Sequence, residues 1–350
     1  MAYAFPSMEK GTPAGNAAET CAMLHLMCYS EERDVIEHFA IDCFNDVTGM
    51  DGSCLSLYDV QSKAGNNINP AKIGEDLATL FENAVSEFSQ YFVTFTLFVG
   101  GVSSSVLETP ELTEFGYHDM KPKAQESVRA HLISEVKEGH KGRFATYVTD
   151  ENIDNFLCKV RFVVSKAEPA EYIRVLAHTS SALMPGDREL MNIFTQIRDK
   201  QSALKNRGAI VGESINRPDE VTNYGRIIKW REIKLLIIER LLDRRFYKDK
   251  APAEFMEYLE TLPPEEDIKD VAEDCRNEML MQYFDKSDSD AFWRLFDEIV
   301  TVVEAGPDAS IIDVYRSIDV KTLKACRHME PRSKLYFIAT IKDGLSHVED

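Results

Sequence analysis

The stretch YFVTFTLFVGG, residues 91–101, constrains the fold of this chain more than any other. It is continuously apolar, β-branched and aromatic, and it closes on a glycine pair. Such a run reads as a strand covered on both faces, which belongs at the centre of a sheet with helices above and below. A parallel neighbour reached across a helix is its expected company. That helix stands just upstream. Asn69 and Pro70 are a capping residue and a proline at the first helical position. Ile73, Leu77, Leu80, Phe81, Ala84 and Phe88 then keep helical spacing.

The residues before this unit predict more of the same core. AAETCAMLHLMC (17–28) reads as a largely buried helix. VIEHFAIDCFNDVTGM (35–50) alternates, with Phe39, Ile41 and Cys43 on one side and Asp42, Phe44 and Asp46 on the other. That pattern predicts one strand with an acidic side. Asp51-Gly52 marks a turn, and CLSLYDVQSK (54–63) is the partner strand of a hairpin. Residues 120–138 predict a helix and 156–165 a further strand. Past about residue 168 the strand signal fades. A helix follows Asp187, YGRIIKWREIKLLIIERLLDRRF (224–246) reads as a long basic helix, and helices continue to the end. The expected class is α/β, with a first domain over 1–215 and an all-helical region over 216–350.

Bulk properties exclude several functions. No apolar run approaches the roughly 18 residues of a membrane span. The start lacks a basic stretch followed by an apolar core, so no secretion signal is expected. Seven scattered cysteines show no CxxC pair and no zinc spacing, which points to reduced thiols in a cytoplasm. A net charge of -19 argues against a free-standing nucleic-acid binder. The charge is uneven, however. Residues 198–250 hold 14 basic and 8 acidic side chains, whereas 251–300 hold 4 and 15. The reversal assigns the last third a different job.

One constellation carries chemistry. Gln61 and Lys63 lie two apart on a strand, so both leave one face, roughly 6.6 Å apart along it. Asp59 shares that face, and Asp46 ends the preceding strand on its acidic side. Asp46 offers charge, Gln61 a neutral carbonyl oxygen, and Ser62 a main-chain carbonyl. Together they form an oxygen set for a hard divalent cation. Lys63 would hold an attacking water or stabilise a pentavalent phosphate transition state. Asp42 is a rival ligand four residues earlier. Glu19, on the first helix, is a further acid within reach, or part of an exposed helix start. Asp59 either supports the site or sits on the surface. The plain alternative makes Gln61 and Lys63 solvent-facing guards of an edge strand. Other motifs are missing: GGVSSS (100–105) has no phosphate-loop lysine, and no GxSxG frames a serine.

Asp46 followed by YDVQSK resembles the acid…QxK form of the PD-(D/E)xK nuclease signature, with Gln in place of the second acid. The helix–strand–strand–helix–strand order of residues 17–99 is similar to that fold's core. Over about residues 15–210 the chain resembles the nuclease domain of the CD-NTase-associated DNA endonucleases, a domain shared with the Lamassu nuclease subunit. The resemblance implies a restriction-endonuclease-like core, a central mixed sheet flanked by helices, followed by the helical region. It implies Mg2+ or Mn2+ as cofactor and double-stranded DNA as substrate. A short acidic helical region in place of a large ligand-sensing domain looks more like the Lamassu arrangement. There the implied partners are an SMC-like ATPase and an accessory subunit, and the active form is a homo-oligomer. Pooled basic patches would then grip the duplex; Lys137, Lys141, Arg143, Lys205 and Arg207 are the candidates. A catalytically silent scaffold, or the effector nuclease of another defence system, is the alternative.

Overall fold

The computed structural model of the chain describes residues 2–5, 12–139, 142–165, 167–179, 184–205, 207, 210–243, 245–262 and 267–346. Its contacts gather into two units. One is Met1–Tyr172 with Phe194–Trp230, and the other is Ile173–Ile193 with Arg231–Asp350. The expected boundary at residue 215 falls inside the first unit, ahead of the strand that closes one edge of its sheet.

The first unit begins with β1 (Tyr3–Ala4), α1 (Pro13–Cys28), β2 (His38–Ile41), β3 (Val47–Met50) and β4 (Leu57–Lys63). It continues with α2 (Pro70–Asp76), α3 (Ala78–Ala84), β5 (Phe92–Val99), β6 (Glu114–Gly116), α4 (Pro122–Glu138), α5 (Asp150–Leu157) and β7 (Val160–Val164). After α6 (Pro169–Ala177) and α7 (Asp187–Lys205) come β8 (Ser214–Ile215) and β9 (Ile227–Lys229). Among the described residues, seven strands make one mixed sheet in the order β6-β7-β5-β4-β3-β2-β9, and β1 pairs with β8. The class is therefore α/β, with helices flanking the sheet.

The apolar run at 91–101 supplies β5. It lies parallel to both β4 and β7 and is interior to the sheet. Phe95, Leu97 and Val99 join Leu77, Leu80 and Phe81 of the following helices in one core. Phe98, pointing the other way, meets His25 of α1 at 5.7 Å between ring centres. The two faces of β5 thus have different covers, as a doubly buried strand requires. The Asn69 cap is present, with its side chain accepting from the Lys72 amide at 2.9 Å. The helix it starts breaks at Leu77 into α2 and α3.

Two sequence expectations give way. Residues 35–50 are not one strand. β2 and β3 form a hairpin of their own, with Ile41 opposite Val47 and a turn over 42–46. Asp42 takes the left-handed conformation, φ 55, and its amide donates to the Asp46 carbonyl at 3.1 Å. Asp and Asn accept that conformation and cap their own turns. The alternation of IDCFND therefore runs around a bend rather than along a strand. Likewise, residues 224–246 are not one helix. Gly225 turns the chain at φ 67, and Ile227–Lys229 pairs with β2, Lys229 opposite His38. The open edge of β2 takes up those amides and carbonyls, and helix begins only at Trp230.

The second unit takes α8 (Trp230–Leu241) from Arg231 onward and holds α9 (Ala253–Glu260), α10 (Ile268–Tyr283), α11 (Ser289–Ala305), α12 (Ile311–Ser317), α13 (Val320–Ala325) and α14 (Pro331–Ser346). The helical C-terminal part was expected. Its core is aromatic: Phe292 lies 4.9 Å from Phe337 and 4.8 Å from Tyr283, centre to centre. All seven cysteines are free thiols, and Cys21, Cys43, Cys54, Cys275 and Cys326 are buried as small apolar residues. Among the described residues no helix is long and apolar enough to cross a membrane.

Candidate active site

β4 is flanked by β3 and β5, so Gln61 and Lys63 are not guards of an open edge. The β3–β4 register ends with Val47 opposite Val60. Asp46 therefore lies one step beyond the last pair, level with Gln61 and Ser62. Its Oδ2 accepts from Gln61 Nε2 at 2.8 Å, from the Ser62 amide at 2.7 Å and from Ser62 Oγ at 3.3 Å. Gln61 is held from its other end, where its Oε1 accepts from the Thr79 hydroxyl of α3 at 2.8 Å. Burial raises the Asp46 carboxyl above its usual range. The Ser62 amide and the charges of Lys63 and Lys205 oppose the rise, and Asp42 adds to it.

Asp59 is not on the surface. It is fully buried two pairs below Asp46 and accepts from Thr48 Oγ1 at 2.8 Å and Asn83 Nδ2 at 2.7 Å. Burial pushes its carboxyl to about 6 against the pull of these donors. Asn83 also accepts the Tyr3 hydroxyl at 2.7 Å and donates to the Phe44 carbonyl at 3.0 Å. A polar seam therefore runs beneath the site, between β4 and α3.

Asp42 has a partner of its own. The buried guanidinium of Arg226 lies 3.4 Å from its carboxylate and 3.3 Å from its carbonyl. The two acids stand at opposite ends of a turn, and only Asp46 meets Gln61. Glu19, from α1, is buried and forms an ion pair with Lys205, the last residue of α7. Burial and then the nearby Asp46 charge raise the Glu19 carboxyl to about 7, while Lys205 opposes them. Lys63 is half-buried, and its charge acts on both Asp46 and Asp76. Asp76, buried at the end of α2 and 3.2 Å from Lys72, had no sequence signal beyond its Lys72 spacing.

The expected DNA-contact residues do not form one group. Lys137, Arg143 and Arg207 are exposed, whereas Lys205 is turned into the acid cluster with a side chain 13% exposed. Arg226, counted in the basic segment, is buried as well. Lys141 lies outside the described residues.

Comparison with protein-family models, with curated proteins and with solved structures finds no match to this chain.

The donor set can nonetheless be tested against a hard cation. A strand residue sends its amide and carbonyl toward the same neighbour, so the Ser62 carbonyl leaves β4 on the Asp46 side. The Thr79 hydroxyl both donates and accepts. A half-turn of the Gln61 amide therefore keeps its Thr79 bond and brings Oε1 toward Asp46. One carboxylate, one amide oxygen and one main-chain carbonyl fit Mg2+ or Mn2+, which keep several waters and take one or two protein carboxylates. Among the described residues no three His, Cys, Asp or Glu side chains stand together as a metal cage.

Proposed function

We propose that the chain is a metal-dependent DNA endonuclease, the effector subunit of a bacterial defence complex of the Lamassu kind. The observation that carries the reading is the convergence of Asp46, Gln61 and Ser62 within 2.8 Å at the end of an interior strand, with Lys63 next along it. The succession α1, β3, β4, α2–α3 and β5, with β2 added, supports a restriction-endonuclease-like core. Asp46, Gln61 and the Ser62 carbonyl would hold Mg2+ or Mn2+, with Glu19 nearby as a second acid. The bound ion supplies polarisation of a phosphate oxygen and a water of lowered pKa. Lys63 places an ammonium where charge develops on the phosphate, and the seam of Thr79, Asn83 and Asp59 holds Gln61 and β4 in position.

In this reading double-stranded DNA is the substrate. An SMC-like ATPase and an accessory subunit hold the chain inactive, and release lets it assemble into a homo-oligomer that cuts. The exposed Lys137, Arg143 and Arg207 are its candidate phosphate contacts. The second reading is a nuclease fold kept as a scaffold. It is favoured by the satisfied state of the acids, with Asp46 bonded to Gln61 and Ser62 and Glu19 paired with Lys205.

Supercoiled plasmid with Mg2+ or Mn2+ separates the two, using the full chain alone and with its partners. The nuclease nicks or linearises the plasmid, and Lys63→Ala slows it by roughly 10²-fold or more. Equal inertness of wild type and Lys63→Ala under every condition selects the scaffold.

A further inference from the structure

The acids around Asp46 already have a cation among them. α7 docks on α1 through two adjacent contacts, four residues apart on α7 and neighbours on α1. Thr20 Oγ1 donates to Gln201 Oε1 at 2.8 Å, and Lys205 meets Glu19. Thr20 and Gln201 are fully buried, and the Lys205 and Glu19 side chains are 13% and 9% exposed. Lys205 is thus an interior group fixed by the packing of its helix.

The electrostatics of this arrangement are specific. The ammonium is the last residue of a 19-residue helix, where the helix dipole favours positive charge. Its charge also acts on Asp46. A buried ion pair persists only where partners offset its desolvation; here Lys205 pairs with Glu19, and its charge reaches Asp46 alongside that of Lys63. Without Lys205, Glu19 would lose its paired cation and face the Asp46 charge with only Lys63 acting on that carboxylate. A divalent ion is the natural replacement for it.

We propose that Lys205 is a resident counter-ion of the candidate site, standing beside Glu19 where a divalent cation would sit, so that the cation must displace it to bind. The inference rests on the nuclease reading and adds its regulation. The resting chain has low cation affinity, and any event that lifts the last turn of α7 off α1 raises that affinity. The device suits a subunit whose activity is dangerous until released.

Manganese binding by the full chain, followed by calorimetry, tests this without relying on cleavage. Lys205→Gln removes the charge and keeps the length, and Lys205→Arg keeps the charge. Removing a like charge a few ångströms from a divalent ion should tighten Mn2+ binding by about tenfold or more. Lys205→Arg should stay as weak as wild type, and Asp46→Asn should abolish binding in every background. Measurable wild-type binding that Lys205→Gln does not tighten overturns the counter-ion and leaves the metal reading standing. No Mn2+ binding by wild type or Lys205→Gln removes both. Hydrogen exchange on the wild type gives a second measure that needs no folded variant. Mn2+ should speed amide exchange over residues 201–205, and protection unchanged at saturation overturns the proposal.

Discussion

Both units have aromatic and aliphatic cores, but they hold their buried polar groups differently. In the helical unit the centre is aromatic and aliphatic, with Phe292 against Tyr283, Phe296 and Phe337. One of its buried lysines, Lys234, lies over two rings, 4.8 Å from the centre of Tyr283 and 5.6 Å from that of Trp293. In the sheet unit, one strand carries Asp59, Gln61 and Ser62 into the interior in place of apolar residues. Side-chain partners from β3, α3 and the 42–46 turn satisfy them. Burying polar groups costs stability unless each is bonded, and a fully bonded set fixes geometry more than it adds stability. The helical unit is built to hold together; the end of β4 is built to hold three side chains in place.

Each unit has one of the chain's two tryptophans, Trp230 and Trp293, both buried, so the contrast can be measured locally. The largest effect belongs to the aromatic core. Phe337→Ala should cost about 3–5 kcal/mol, read by urea unfolding through Trp293 in a Trp230→Phe background. A cost under about 1 kcal/mol would mean that this core is loosely packed and the contrast false.

The sheet unit should instead show its polar and titratable interior. His25 is buried against Phe98, and desolvation lowers its pKa to about 4. Its folded value lies below the unfolded value of about 6.5, so the unfolded chain binds the extra proton between those pH values. Stability is therefore retained above about pH 6.5 and lost as pH falls toward 4, by up to about 3 kcal/mol from this group. Urea unfolding across that range should lose this slope in His25→Gln. An unchanged slope would remove His25 from the account.

The smallest effect sharpens the comparison most. Asp59→Ala leaves donors on Thr48 and Asn83 without their shared acceptor and should cost about 2 kcal/mol. Asp59→Asn retains one oxygen and should cost about half as much. If both variants match wild type in stability and in Mn2+ binding, the polar seam does not hold the site.

Much of this architecture was legible in the chain. β5 announced itself because so apolar, β-branched and aromatic a run has few options other than a doubly buried strand, and the Asn69-Pro70 start of α2 is local chemistry. Asp46, Gln61 and Lys63 could be grouped because a hairpin brings its ends together. The exact hairpin was not legible. A turn made by Asp42 and Asp46 looked like strand alternation, since both patterns place acids at even spacing. β9 was unreadable for another reason. Ile227–Lys229 is strand only because β2, almost two hundred residues earlier, offers an open edge. Lys205 and Arg226 looked like surface charges because nothing near them in sequence shows which acids they will meet.

What the sequence settled by itself is therefore local: the apolar strand, the helix caps, and one acid, one amide and one amine near a strand end. Which acid faces the amide was decided by tertiary structure. Strand register set Asp46 against Gln61, and a buried arginine drew Asp42 away. Helix packing brought a lysine to Glu19. Charge acts through space over a few ångströms, and only the folded chain determines which charges are neighbours.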